Sequence, residues 1–125
     1  MRELTSDQAA YAEFVQSVVG LDDWDIRYKF VEAGPGDCYA EVHTRPDYHE
    51  AVITLYTNDI AESRGLGFGE SIERIVLHEL CEIVVEWEME PMPQEARDEE
   101  LMMRVRDRLA DRIRRIVERM WSASA

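Results

Sequence analysis

The 125-residue chain is poor in several features that would define its class at once. Its two cysteines, Cys38 and Cys81, stand 43 residues apart, which excludes a disulfide framework or a cysteine-only zinc site and favours a reducing compartment. Long apolar runs are missing, so we expect no membrane span. The first residues lack the pattern of a signal peptide, and we therefore expect a cytoplasmic protein.

Basic side chains are scarce as well. Lys and Arg number 14 against 27 Asp and Glu, a formal net charge of −13. This deficit disfavours direct nucleic-acid binding and anionic membranes, because both need a surplus of positive charge. The charge is uneven: residues 1–93 carry 20 acidic and 6 basic side chains, a net of −14, whereas residues 94–125 carry 7 and 8, a net of +1. No linker-like segment separates these parts, so we expect one domain over residues 1–125.

The apolar residues that make up much of the chain follow helix and strand periods. Spacings of three and four predict helices over residues 6–19, from residue 70 or 71 to about 88, and from about 95 to 121. Alternation over residues 24–31, 38–44 and 51–56 predicts three strands, most simply in an antiparallel sheet. The expected fold class is therefore α+β. One apolar stripe marks the last helix: Leu101, Met102, Val105, Leu109, Ile113, Ile116 and Met120.

The second predicted helix is apolar nearly all round except for one acidic strip. His78, Glu79, Glu82 and Glu86 fall within about 100° of arc at helical spacing. Its glutamates stand three and four residues apart, so their charges repel by about a few tenths of a kcal/mol per pair. Open water, the arginines of the last helix or a metal ion would relieve this repulsion. His78 and Glu82, four residues apart, can point an imidazole and a carboxylate at one divalent ion.

The string His78-Glu79-Leu80-Cys81-Glu82 resembles the H-E-x-x-H helix motif of zincins. The order of elements is similar to that of small zincin-like metallopeptidases of phages and bacteria, with residues 51–56 resembling their edge strand. The resemblance implies His78 as the first metal ligand, Glu79 as general base on metal-bound water, and Glu82 in place of the second histidine. It implies a divalent metal, zinc first and manganese as the alternative, because a carboxylate shifts preference toward harder ions.

The third ligand stays open at this point. In gluzincins it is a glutamate on the next helix, and the resemblance places Asp98 or Glu99 there. Asp98 is in phase with the apolar stripe and is expected to point more nearly inward. His43 and His49, on and beside the strands, are alternative ligands.

Two functions follow from these residues. The first is a metal-dependent peptidase with a degenerate H-E-x-x-E site, whose peptide or protein substrate would pair with the edge near residues 51–56. The alternative is a catalytically inactive zincin-fold acidic protein that binds a basic protein partner, as an inhibitor or a mimic of DNA charge. The two differ in whether a metal is needed.

Overall fold

The computed structural model describes residues 3–36, 38–65, 71–93, 95 and 98–124 of the chain. As predicted, the structure is α+β, with four helices and three strands in these ranges. The elements follow the order α1 (Ser6–Val18), β1 (Asp25–Val31), β2 (Ala40–Arg45), a 3₁₀ turn (Pro46–Tyr48), β3 (Glu50–Tyr56), α2 (Thr57–Gly65), α3 (Ile72–Met89) and α4 (Glu99–Ser124). No helix in these ranges has the length and apolarity that crossing a membrane requires.

The helix starts follow local capping chemistry. Thr5 caps α1 by accepting a hydrogen bond from the Gln8 amide, and Ser71 caps α3 by accepting one from the Arg74 amide at 3.1 Å. Both side chains satisfy amide groups that the first helical turn leaves without partners. The helix α2 was not predicted because it lacks an apolar stripe. The alternative start of α3 at residue 70 lies outside the described residues.

The sheet is mixed, so the predicted antiparallel arrangement is wrong. The strand order is β1-β3-β2, with β3 antiparallel to β2 and parallel to β1. The connection from β2 to β3 is short and turns at His49, which adopts a left-handed conformation with φ of 51°, so these strands form a hairpin. The longer connection from β1 to β2 leaves room for β3 to insert between them. Residues 51–56 therefore form most of the central strand and not an edge, because alternation does not encode which strands are neighbours.

The core lies between the sheet and the helices. Ile53 and Leu55 of β3 are fully buried in one cluster with Val15 of α1 and with Leu80 and Ile83 of α3. The opposite face of the sheet exposes charged side chains such as Arg27 and Lys29. Full burial of each aliphatic side chain stabilises the fold by about 1.5 to 3 kcal/mol relative to exposure. The helix α3 therefore packs on the sheet and on α4, while α1 contacts both α3 and the Trp121 end of α4.

The helix α4 contacts α3 along a face that the predicted stripe only partly covers. Its buried residues are Ala110, Ile113 and Val117. Leu101, Val105, Ile116 and Met120 of the stripe are exposed, between 44% and 48%. At about 100° per residue the buried line is displaced by roughly a quarter turn from the stripe. The contact between the two helices includes Ala110, whose small side chain permits close approach of α3. With α4 in this orientation, the outer part of the apolar stripe faces solvent.

Candidate functional site

The acidic strip of α3 faces the outer strand of the sheet. The core face of α3 is fixed by buried Ile72, Val76, Leu80 and Ile83, which leaves the flank with His78, Glu79 and Glu82 beside β2. A cleft of about 640 Å³ separates the two elements, and Arg106 of α4 closes one side. Its lining is formed by Cys38, Tyr39, Ala40, Glu41, Val42, His43, Ile75, His78, Glu79, Glu82 and Arg106. The structure thus brings three predicted site residues into one cleft.

Arg106 supplies the cation that the acidic strip requires. Its Nη1 lies 3.1 Å from Oε1 of Glu82, and the two side chains are only 25% and 27% exposed. Partial burial strengthens the attraction in such a pair but also removes water from both charges. Removing either partner therefore lowers the stability of the folded protein. Open water, an arginine of the last helix or a metal ion could relieve the repulsion among the glutamates. The structure shows the second of these, an arginine of the last helix.

Glu79 is held in its protonated form. Burial raises its pKa from 4.5 to about 8, and the hydrogen bond and charge of Glu82 act in the same direction, while Arg106 opposes them. Its Oε2 is buried and has no hydrogen-bond partner. A general base must be ionised at the working pH. In this arrangement burial and Glu82 favour the protonated form of Glu79 near neutral pH, which does not suit the role of that base.

The two candidates for a third metal ligand lie outside this cleft. Asp98 is exposed and caps α4, where its Oδ1 accepts a hydrogen bond from the Leu101 amide at 3.1 Å. The expectation that it points inward is therefore wrong, because the cap position precedes the helix and takes no part in its phase. Glu99 lines a second groove between α3 and α4, next to Met102 and Met103, which Glu82 and Arg106 also border.

The two alternative histidine ligands lie in different parts of the structure. His43 lines the cleft from β2, and its Nε2 lies 3.8 Å from Oε2 of Glu41. His49 stacks on Trp24 with a centroid distance of 5.3 Å, and its Nδ1 lies 2.7 Å from Oδ2 of Asp23. It also contacts Trp87, nine residues or about 13.5 Å along α3 from His78. His49 therefore belongs to a structural cluster away from the cleft.

These placements test whether the residues fit the metal that the resemblance implies. No three His, Cys, Asp or Glu side chains in the described ranges are close enough together to hold one ion. Of the implied ligands, Glu82 already pairs with a guanidinium and Asp98 is a helix cap. His78 is exposed beside the cleft, and so is His43 among the alternative ligands. The donor set as arranged fits an internal arginine and does not fit a divalent metal.

Two residues of the cleft were missed at the level of sequence. The arginines of the last helix were expected as one way to neutralise the acidic strip, but nothing in the sequence distinguished Arg106 among them. Glu41 accepts a hydrogen bond from the Tyr56 hydroxyl at 2.9 Å, and the Cys38 thiol lies 3.8 Å from its other oxygen. Burial, and then the charges of Glu41 and Glu79, raise the pKa of Cys38, so its thiol stays protonated and is a poor nucleophile. No motif in the sequence marked Glu41, which was only one polar position in a predicted strand.

The other cysteine is part of the core. Cys81 is fully buried, and burial raises the pKa of its thiol to about 12. The thiol therefore packs as a small apolar group and takes no part in the cleft.

The outer edge of β2 is free along the cleft. β2 is the last strand in the sheet order of the described residues. Because Tyr39 O accepts from Tyr56 N, the antiparallel pattern directs the backbone groups of Glu41 and His43 toward β3. The N–H and C=O groups of Ala40, Val42 and Thr44 then point away from β3. These groups can accept an additional strand.

Comparison of the chain with protein-family models, with curated proteins and with solved structures found no match.

Proposed function

We propose that this protein binds an extended, basic segment of another polypeptide in the cleft between β2 and α3, and that binding requires no metal ion. The observation that carries the proposal is the Glu82 to Arg106 ion pair beside a free strand edge. The ion pair occupies a carboxylate that a metal would need. The free edge offers main-chain hydrogen bonds, the usual source of affinity when a peptide adds a strand to a sheet.

The charges of the cleft favour a basic segment. Glu41 and Glu82 contribute two carboxylates, while Arg106 offsets one of them and Glu79 carries a proton. The remaining negative charge attracts lysine or arginine side chains of a peptide, and residues 1–93 extend the negative potential beyond the cleft. The partner that fits best is a protein with an exposed basic strand.

We further propose a zincin-like arrangement with a cytoplasmic location. The position of an edge strand beside the H-E-x-x-E helix supports the first, with β2 now taking the place expected for residues 51–56. The free cysteines Cys38 and Cys81 support a reducing compartment.

Replacement of Val42 by proline tests strand addition at β2. The Val42 N–H points away from β3, so Val42→Pro removes a bond to the peptide while the β2 to β3 ladder persists. Peptides would be selected from a random 12-residue library on the wild-type protein in the presence of EDTA, and their affinities measured by fluorescence anisotropy. We expect selected sequences to be basic, to bind with EDTA present, and to lose about tenfold or more in affinity to Val42→Pro.

The matched control is Val42→Ala, which removes the same side chain but retains the N–H. It should bind the selected peptides within about threefold of the wild type, because main-chain bonds carry the affinity. Equal binding to Val42→Pro and the wild type would show that no strand is added. Binding that disappears with EDTA would show that a metal is required.

A metal-dependent peptidase is the second candidate. It is favoured by the presence of His78, Glu79 and Glu82 in one cleft beside a free strand edge. For this candidate, incubation with zinc or manganese followed by elemental analysis should give one ion per chain, which His78→Ala would abolish. The same loaded protein should then cleave fluorogenic peptides. Metal-free protein after this treatment would leave the peptide-binding proposal in place.

A further inference from the structure

The outer face of α4 carries three arginines that form no ion pair with the residues that the structure describes. Of the seven arginines in this helix, Arg104, Arg106, Arg114 and Arg115 pair with acidic groups of α4 or α3. Arg108, Arg112 and Arg119 form no ion pair among the described residues, and all three are exposed. Asp111 stands three residues after Arg108 but pairs with Arg114 and Arg115 instead, and no acidic residue stands three or four positions from Arg112 or Arg119. The helix neutralises its flanks and leaves its outermost line positive.

Apolar side chains interrupt the same line. At helical spacing Leu101 and Val105 precede Arg108 and Arg112, and Ile116 lies between Arg112 and Arg119. Leu101 is 48% and Ile116 45% exposed. The arginines lie about 6 Å and about 10.5 Å apart along the helix axis. The result is a mixed surface about five turns long, which we name the α4 outer face: Leu101, Val105, Arg108, Arg112, Ile116 and Arg119.

We propose that the α4 outer face docks an acidic amphipathic helix of a partner protein. Carboxylates at matching spacing would pair with Arg108, Arg112 and Arg119, while apolar residues of the partner cover Val105 and Ile116. Charge complementarity determines this choice, because unpaired cations next to exposed apolar groups need a surface that offers both carboxylates and apolar contacts. This surface is separate from the cleft and does not depend on the function proposed above.

Other occupants match the α4 outer face less well. The phosphates of nucleic acid or of lipid headgroups would pair with the arginines but would give no apolar contact to Val105 and Ile116 beside them. A membrane-bound helix also separates its apolar and charged faces, whereas here they share one line. A second copy related by a twofold axis would bring Arg108 and Arg112 against the same arginines of its partner.

The test uses the full chain and a synthetic helical peptide. The probe is a fluorescently labelled 18-residue peptide with leucine and glutamate on one face, and a second peptide has the same composition scrambled. Fluorescence anisotropy should show binding of the first peptide and about tenfold weaker binding of the scrambled one. The double variant Arg108→Glu, Arg112→Glu should lose about tenfold in affinity, and Val105→Ser with Ile116→Ser about fivefold.

A matched charge reversal on another surface serves as the control. Arg27→Glu with Lys29→Glu changes the net charge by the same amount on the exposed face of β1 and should weaken binding less than about twofold. All variants alter exposed side chains. Circular dichroism of each variant would check that it folds. The proposal is overturned if the wild type does not bind the peptide, if both charge reversals weaken binding equally, or if a 20-base-pair DNA or anionic vesicles bind more tightly. Self-association through α4 in sedimentation experiments would overturn it too.

Discussion

The C-terminal end and the middle of α3 carry different kinds of side-chain cluster. Near its C-terminal end, Trp87 packs on the rings of Trp24 and His49 at centroid distances of 5.4 and 5.3 Å. In its middle, Glu79 and Glu82 crowd against Arg106 in the cleft. The aromatic cluster leaves one neutral N–H, Nε1 of Trp24, without a hydrogen-bond partner, whereas the cleft leaves Oε2 of Glu79 and Nε of Arg106 without one.

The aromatic cluster stabilises the fold, whereas the cleft retains polar groups that lower the free energy of unfolding. Aromatic contacts gain free energy through buried area and ring geometry. A carboxyl group with a raised pKa, next to a half-buried ion pair, lowers stability relative to an apolar core and is the arrangement expected in a binding or catalytic region. The variants below test this contrast, beginning with the largest expected effect.

Removal of the Trp87 ring should cause the largest loss of stability. Trp87→Ala deletes the contacts with Trp24 and His49 and leaves a cavity, so we expect the free energy of unfolding to fall by about 3 kcal/mol. Urea denaturation followed by circular dichroism measures this. Trp87→Phe retains a ring and should lose less than half as much. A loss below about 1 kcal/mol for the alanine variant would show that the aromatic cluster is not a major source of stability.

Loss of the Arg106 guanidinium should lower the free energy of unfolding somewhat less than loss of the Trp87 ring. Arg106→Leu leaves Glu82 half-buried beside Glu79 with no cation, and we expect the free energy of unfolding to fall by about 2 kcal/mol. The double variant Arg106→Leu, Glu82→Leu removes both charges and should recover most of that loss. Urea denaturation of the single and double variants gives the coupling energy. Equal stability of Arg106→Leu and the wild type would contradict the internal ion pair.

The protonation of Glu79 should make stability depend on pH. Below its ordinary pKa of 4.5 the carboxyl is protonated in both the folded and unfolded states. Between 4.5 and about 8 the unfolded chain releases this proton while the folded protein keeps it, so stability falls as pH rises and levels off above about 8. We expect a contribution of about 1 to 2 kcal/mol, reduced because the side chain is partly exposed.

The isosteric variant Glu79→Gln isolates this contribution. Glutamine does not titrate, so the variant should match the wild type near pH 5 and be more stable than it near pH 8.5. Urea denaturation at pH values between 5 and 9 measures the difference between the two proteins. A constant difference over this range would mean that Glu79 ionises normally in the folded protein.

Gly34→Ala should have the smallest of these effects on stability and a clear effect on the cleft. A Cβ at position 34 would lie 2.7 Å from Cδ1 and Cδ2 of Tyr56, so the ring must move. Movement would break the hydrogen bond from Tyr56 to Glu41, and we expect a loss of about 1 kcal/mol. Thermal denaturation checks it. In a Tyr56→Ala background the ring is absent, and Gly34→Ala should then cost nothing further.

Local patterns predicted most elements of the fold but not their arrangement. Capping residues and apolar periods located α1, α3 and most of α4, because both signals act within a few turns. The helix α2 has no apolar stripe and was missed. The order of strands was wrong, since alternation in β3 is the same whether it lies at the centre or at an edge.

The candidate site shows the same division. The strip with His78, Glu79 and Glu82 could be predicted because helical spacing alone places these residues on one flank. Glu41 and Arg106 could not, because they reach the cleft from a strand and a helix about 40 and 25 residues away along the chain.

Helical spacing alone predicts that α3 carries crowded carboxylates whose repulsion needs relief, because charges three and four residues apart on a helix repel in any fold. That Arg106 provides this relief follows from tertiary packing. The packing of Ala110, Ile113 and Val117 on α3 sets the rotation of α4, and that rotation directs Arg106 toward Glu82 while Arg108 and Arg112 face outward. The pairing of Arg106 with Glu82 depends on this helix contact, and no spacing within α4 specifies it.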